Sequence, residues 1–173
     1  MLRIGIDARM MGAGNTRGIG RYIEEMVKAM LSELREGEII VLFERSPGDS
    51  PIRHSQVEHV QAAIPWYGFS EQLKLPRILN QAKLDVLWVP HWNIPLLYRG
   101  KLVTTIHDLL LISQKRSAKI STKNPFIFYI KYFAFRAVLS VALKRSKAIL
   151  PPTEAMKTEI ELFAPRTKKR LIV

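Results

Sequence analysis

Apolar and polar residues alternate along this chain with two periods, one typical of β-strands and one typical of α-helices. Leu2, Ile4 and Ile6 alternate like a strand, and apolar residues then recur at helical spacing from Ile19 to Leu34. Short apolar runs predict strands at Ile39–Phe43 and Asp85–Val89. The same patterns predict strands at Val57–Ala62, Lys101–Ile106, Ala148–Leu150 and Arg170–Val173, and helices at Phe69–Ala82, Asn124–Lys147 and Glu154–Phe163.

Two of the predicted helices have unusual sequences. Pro76 lies inside the helix at 69–82, where it is expected to kink or restart the helix. The run 125–143 is apolar enough to suggest a transmembrane segment, but Lys131 and Arg136 each cost about 2.5–3.5 kcal/mol near a bilayer centre. We therefore interpret this run as a core helix. The apolar face expected for the first of the two helices consists of Phe69, Leu73, Ile78, Leu79 and Ala82.

The alternation of strands and helices predicts an α/β fold with a parallel sheet covered on both faces, in a single domain over residues 1–173. In such sheets, ligands bind beyond the carboxyl ends of the strands. A polar cluster follows each of four predicted strands, so we expect a site at this edge. The clusters are GAGNTRGIG (12–20), PHWN (90–93), HD (107–108) and PPTE (151–154).

The glycine-rich cluster matches neither common nucleotide fingerprint. Counted from Gly12, the sixth position of a G-x-G-x-x-G motif is Arg17, and no Gly-Lys pair is present for a Walker loop. A strand, a glycine loop and a helix nevertheless form the start of a βαβ unit, whose helix N-terminus attracts anions. The loop is therefore either a phosphate-binding segment or a flexible turn.

His107 and Asp108 are the strongest candidates for catalytic residues, since histidine can hydrogen-bond a sugar or a phosphate. The alternative is a histidine that merely caps the edge of the sheet. His91 and Trp92 offer a hydrogen-bonding group and an aromatic platform for a ligand. The alternative is that their side chains only fill the interior of a buried loop. The spacing of His91, His107 and Asp108 does not require a metal, and we expect none.

Composition and charge exclude some classes of protein and indicate the kind of partner. With 47% hydrophobic residues and no cysteine, the chain is a globular domain without disulfides or thiol chemistry. Asp7 and Arg9 interrupt the apolar N-terminus, so we expect no signal peptide. Residues 1–108 hold 13 Lys and Arg against 12 Asp and Glu, whereas residues 109–173 hold 14 against 3. This asymmetry indicates an anionic partner, unless it is only a solvated basic face.

The chain resembles the N-terminal domain of family 4 retaining glycosyltransferases, in particular their mannosyltransferase-like members. The resemblance covers nearly the whole chain and is carried by RIGIDARMM…TRGIGRYIEEMVKAML, FSEQLKLPRILNQAKLDVLWVPHWNIPLLYRGKLVTTIHDLLL and SKAILPPTEAMKTEIELFA. It implies the N-terminal half of a glycosyltransferase B fold, with two Rossmann-like, doubly wound domains facing each other across a cleft. The first domain binds the acceptor and the second, absent from this chain, binds most of the nucleotide-sugar. Either an expressed fragment or one half of a split enzyme would account for this.

The resemblance also implies roles for individual residues. Gly18 and Gly20 would approach the donor phosphates, although Arg17 lies within a motif that is usually shorter. His107 would contact the transferred sugar and Asp108 would support that loop. Thr153 stands where the family commonly has serine, lining the cleft. We expect His91 and Trp92 to bind the substrate or the donor as well. The nucleotide-sugar is a substrate, and no cofactor or metal is implied.

The expected partners are a nucleotide-sugar, a glycan or lipid-linked acceptor, and the donor domain in cis or in trans. We expect a cytoplasmic protein that attaches peripherally to the cytoplasmic face of an anionic membrane. The attachment would use a basic loop made of Lys115, Arg116, Lys119 and Lys123. The alternative is a non-catalytic basic module that binds membrane or nucleic acid; for the enzyme we expect no nucleic acid.

Overall fold

The computed structural model describes residues 2–12, 18–109 and 125–173, with only the backbone at 125–128 and 131. The strands are β1 (Arg3–Asp7), β2 (Ile39–Glu44), β3 (Val57–Gln61), β4 (Val86–Val89), β5 (Leu102–Thr105) and β6 (Ala148–Leu150). The helices are α1 (Ile19–Glu33), α2 (Phe69–Gln81), α3 (Pro125–Arg145) and α4 (Glu154–Phe163), and 3-10 turns occur at Pro47–Asp49 and Pro165–Arg170. The strands form one six-stranded parallel sheet in the order β3-β2-β1-β4-β5-β6, which confirms the predicted Rossmann-like α/β class.

The chain forms two compact units. The first consists of Met1–Pro90 and Pro95–Val103, and the second of His91–Ile94 and Thr104–Val173. The division falls within β5, whose first two residues belong to the first unit and whose last two belong to the second. A single domain over residues 1–173 stays a prediction.

The first unit is built around β1 and β2. All six residues of β2 are buried, and β2 pairs with β1 on one side and with β3 on the other. Gly5 of β1 lies directly against Leu84, so that an added Cβ would overlap the Leu84 side chain. Helix α1 covers this part of the sheet with a face that includes Ile23 and Val27, both fully buried. Apolar strands buried on both faces are the signature of a parallel sheet, as the sequence predicts.

The predicted apolar face of α2 is wrong. Leu79 is buried as expected, but Phe69 and Leu73 are exposed, and Glu71 is buried in their place. The helix also continues through Pro76 rather than restarting there. The reason for the rotated face is an ion pair between Glu71 and Arg9 inside the unit. A charge is buried when a partner compensates it, and periodicity alone does not disclose that partner.

The second unit packs around α3. Its buried core consists of Ile106, Leu109, Phe135, Leu139, Leu143, Ile149, Ile160 and Leu171. The interpretation of α3 as a core helix agrees with this packing, since Phe135, Leu139 and Leu143 follow one another at helical spacing on one face. Within the described part of the chain, no helix is long and apolar enough to cross a membrane.

The strand predicted at Arg170–Val173 is wrong. Pro165 starts a 3-10 turn that extends through Arg170, so the backbone is not extended where the strand should begin. Leu171 then forms an isolated parallel bridge with Ile149 of β6, and the Ile172 N–H donates to the Ile149 carbonyl at 3.0 Å. Other predicted elements occur within a few residues of their expected bounds.

Candidate functional site

The last residues of the glycine-rich segment, from Gly18 to Gly20, form the start of α1, where the sequence predicts a helix to begin. Gly18 caps the helix with φ 61° and ψ −123°, a backbone conformation that is essentially restricted to glycine. Gly20 lies buried in the first turn of α1. The first N–H groups of any helix have no acceptor within the helix, so this end of α1 is suited to an anion. Arg17 lies outside the described residues.

A buried ion cluster lies at the carboxyl end of β1 in the same unit. Asp7 ends the strand, and Arg9, only 1% exposed, donates from Nε and Nη2 to the two Asp7 oxygens at 2.7 and 2.8 Å. Arg9 Nη2 also donates to Glu71 of α2 at 2.5 Å, and Nη1 donates to the Ile64 carbonyl at 3.2 Å. The arginine therefore joins three segments of the chain at this edge of the sheet.

The electrostatics keep Arg9 charged. Burial by itself would lower the pKa of its guanidinium, but the hydrogen bonds and charges of Asp7 and Glu71 raise this pKa above its ordinary value. Glu71 in turn accepts from the Tyr67 N–H at 2.8 Å, which holds Tyr67 at a positive φ of 61°. The cluster thus fixes the β3–α2 loop.

Sequence reasoning missed this cluster. It treated Asp7 and Arg9 only as an interruption of the apolar N-terminus, and it assigned no role to Glu71. The available signal is the position of Asp7 and Arg9, because Asp7 is the last residue of a strand that is buried between neighbours and Arg9 lies two positions later. Charges in such a place require partners, and this requirement predicts a buried ion pair.

A second polar pair lies at the end of β2. Glu44 is buried and accepts from His59 Nδ1 of β3 at 2.6 Å. The next residue, Arg45, lies over the ring of Trp66 at 5.1 Å from its centroid. This cation–π contact ties the end of β2 to the β3–α2 loop. Several side chains at this edge are therefore held by specific polar partners.

In the second unit, His91 and Trp92 adopt defined orientations. The Trp92 ring meets Phe135 of α3 edge-on, with 4.5 Å between ring centroids, and packs against the core of the unit. His91 lies 5.0 Å from Trp92, ring centroid to centroid, and its Nδ1 accepts from the Asn93 N–H at 3.1 Å. An accepting Nδ1 places the proton of the neutral ring on Nε2. Trp92 is thus partly a core residue. The N–H donor of the neutral His91 ring is at Nε2.

His107 and Asp108 directly follow β5. Ile106 and Leu109, which flank the pair, belong to the buried core, and the Ile106 N–H donates to the Leu150 carbonyl at 3.3 Å. The pair is therefore fixed at both ends while Asp108 itself is exposed and His107 is half-buried. This is the geometry expected of side chains at the carboxyl edge of a strand.

Thr153 has a structural role in the second unit. It is the N-cap residue of α4, and its Oγ1 accepts from the Met156 N–H at 3.2 Å. The side chain is exposed, so capping accounts for a hydroxyl residue at this position. Its sequence-predicted contact with a substrate stays a prediction.

The structure thus assigns the predicted site residues to two groups. Gly18 and Gly20 belong to the first unit, and the second unit holds His91, Trp92, His107, Asp108 and Thr153. In the second unit, Trp92, the 106–109 segment and α4 all pack on the same core. Among residues 2–12, 18–109 and 125–173, no group of three or more acidic or histidine side chains is placed to hold a metal ion. The basic loop with Lys115, Arg116, Lys119 and Lys123 lies outside the described residues.

Comparison with known proteins identifies the family. No curated protein sequence matches this chain. The family model described as Glycosyltransferase Family 4 matches residues 16–173, a range that includes every predicted site residue. Because this match covers far more than half of the sequence, the chain belongs to glycosyltransferase family 4.

Proposed function

We propose that this chain is the acceptor-side domain of a retaining hexosyltransferase. The enzyme would move a hexose, with mannose as the first candidate, from a nucleotide-sugar to a glycan or a lipid-linked acceptor without a metal ion. Family membership supports a transferase role. The observation that carries the more specific proposal is the shared core of the second unit, on which the His91–Trp92 and His107–Asp108 segments are both built.

The proposed chemistry of the second unit follows from its fixed geometry. His107 donates a hydrogen bond to a hydroxyl of the transferred sugar, and Asp108 supports the loop that carries it. Since Ile106 and Leu109 are locked in the core, the His107 backbone does not have to become ordered when substrate binds. His91 and Trp92 supply a donor nitrogen and an aromatic edge for the acceptor. The N-terminus of α1, at Gly18 and Gly20, faces donor phosphate in this proposal.

The test is a transfer assay with the donor-binding domain supplied in cis or in trans. Nucleotide-activated mannose, glucose and galactose are offered with glycan and lipid-linked acceptors, and the anomeric configuration of the product is read by NMR. We expect transfer with retention, unchanged after EDTA treatment, and no turnover by the 173-residue chain alone. Inversion, or loss of activity in EDTA, would contradict the proposed mechanism. Absence of transfer from every donor, together with salt-sensitive binding to nucleic acid, would favour the non-catalytic basic module.

We also propose that the basic loop holds the protein on an anionic membrane. Between Leu109 and Thr153 the sequence contains no Asp or Glu, so no acidic residue in this segment offsets its cations. Each basic side chain near an anionic leaflet contributes on the order of 1 kcal/mol, and four would hold a protein reversibly without a spanning helix. The cations in question are Lys115, Arg116, Lys119 and Lys123.

Changing these four residues to serine is expected to lower binding to anionic vesicles at least tenfold, because about 1 kcal/mol is lost at each position. Co-sedimentation with phosphatidylcholine vesicles, with and without phosphatidylglycerol, measures this change over a range of salt. The matched control removes four exposed cations elsewhere in the basic third of the chain, namely Lys144, Lys147, Lys168 and Lys169. If both variants lose the same affinity, net charge rather than this loop explains the binding.

A further inference from the structure

Helix α2 presents to solvent the face that its sequence would normally bury. Phe69 is 92% exposed and Leu73, one turn later, is 57% exposed, while Glu71 between them is 1% exposed. Residues two positions apart in an α-helix are separated by about 200° around its axis, so burying Glu71 turns Phe69 and Leu73 outward. The Arg9–Glu71 ion pair therefore fixes an apolar surface in contact with water.

A second exposed leucine lies beside this face in the same unit. The Leu96 N–H donates to the side-chain oxygen of Gln72 at 2.7 Å, which brings the turn after β4 against α2. Leu97, the next residue of this turn, is exposed. Single exposed apolar residues are normal on protein surfaces, but three large ones on adjoining segments form a patch. We refer to Phe69, Leu73 and Leu97 as the α2 patch.

The charged residues of the segment that carries the α2 patch are predominantly basic. From Ala62 to Lys101 the sequence has five Lys and Arg against two acids. Of the two acids, Glu71 is buried with Arg9, and Asp85 accepts from the Arg3 N–H at 2.8 Å. Lys74 and Arg77 are exposed on α2, and Arg77 follows Leu73 by one helical turn. Exposed Phe and Leu beside exposed Lys and Arg is the composition of an interfacial membrane contact.

We propose that the α2 patch inserts into the surface of an anionic lipid bilayer. Phe69, Leu73 and Leu97 enter the boundary between headgroups and acyl chains, and Lys74 and Arg77 pair with anionic headgroups. The apolar contact distinguishes this surface from the proposed basic loop, which acts through charge alone. The proposal does not depend on transferase activity, so a failed transfer assay leaves it unaffected.

The test uses the 173-residue chain and vesicles of phosphatidylcholine with and without phosphatidylglycerol. We expect the double variant F69S/L73S to bind the anionic vesicles about tenfold more weakly, because two apolar side chains no longer enter the bilayer. Its charge is unchanged, so a lower affinity reports apolar insertion. The matched control is L162S/I172S, which removes two exposed apolar side chains from the second unit. Circular dichroism and thermal melting verify that both variants are folded.

A fluorescence experiment gives an independent readout. The Phe69→Trp variant is expected to show more quenching by lipids brominated on the acyl chain than the unchanged chain, whose three native tryptophans set the baseline, whereas Leu162→Trp is not. The proposal is overturned if F69S/L73S binds like the unchanged chain, if neutral vesicles bind equally well, or if Phe69→Trp adds no quenching. It is also overturned if the chain is a dimer that F69S/L73S dissociates, since a second copy would then cover the patch.

Discussion

Replacing Arg9 by methionine is expected to lower the free energy of unfolding by about 3–5 kcal/mol, which is a large part of the stability of a typical domain. Methionine preserves most of the apolar volume but leaves the carboxylates of Asp7 and Glu71 buried without a cation. It also removes the donor to the Ile64 carbonyl. Urea denaturation followed by circular dichroism measures the difference.

Arg3→Met is the matched control for this prediction. Arg3 is the first residue of β1, the strand that Asp7 ends, and it pairs with Glu58 at 2.8 Å, but the two side chains are 26% and 50% exposed. A solvent-exposed ion pair contributes roughly 0–1 kcal/mol, so we expect a small loss. The double variant R9M/E71M should recover part of the stability lost in R9M, because one uncompensated carboxylate is then removed. Equal losses in R9M and R3M would show that the buried cluster is not a special contributor.

The alternation of strands and helices was predictable because its signals are local. An apolar run such as 39–43 has to be buried on both faces, and a helix such as α1 shows its period within its own fifteen residues. The glycine before α1 is also a local feature, since the positive φ of Gly18 favours glycine wherever the helix packs. Local signals of this kind fix the class of fold and the edge at which polar segments collect.

The orientation of α2 was not predictable in this way. Its apolar spacing assigned Phe69 and Leu73 to the core, but Arg9, which lies 62 residues away from Glu71 in the sequence, binds Glu71 inside the unit. A single buried ion pair therefore determines which face of α2 is buried, against the periodicity of its apolar residues. Thr153 shows the opposite case: its capping hydrogen bond is local, and the helix that follows it was predicted with its correct bounds. Features that depend on long-range pairing need the structure.

In the complete enzyme, His107→Ala is expected to lower kcat by on the order of 100-fold while leaving nucleotide binding nearly unchanged. This prediction rests on the proposed function, in which His107 contacts the transferred sugar rather than the nucleotide. A hydrogen bond that strengthens as the sugar leaves its phosphate contributes to kcat, whereas an equal contribution to bound substrate and transition state would change KM. Steady-state kinetics and calorimetric titration with the nucleotide separate the two effects.

His54→Ala is the matched control, because His54 is exposed in a turn before β3 and its change removes an imidazole far from β5 in sequence. His107→Asn adds a second comparison, since an amide retains a hydrogen-bond donor and should recover part of kcat. Ile106 and Leu109 remain in the core in each His107 variant, so we expect melting temperatures close to that of the unchanged protein. A normal kcat together with a lower melting temperature would instead assign His107 to the stability of the sheet edge, and the catalytic role would then have to be sought at His91.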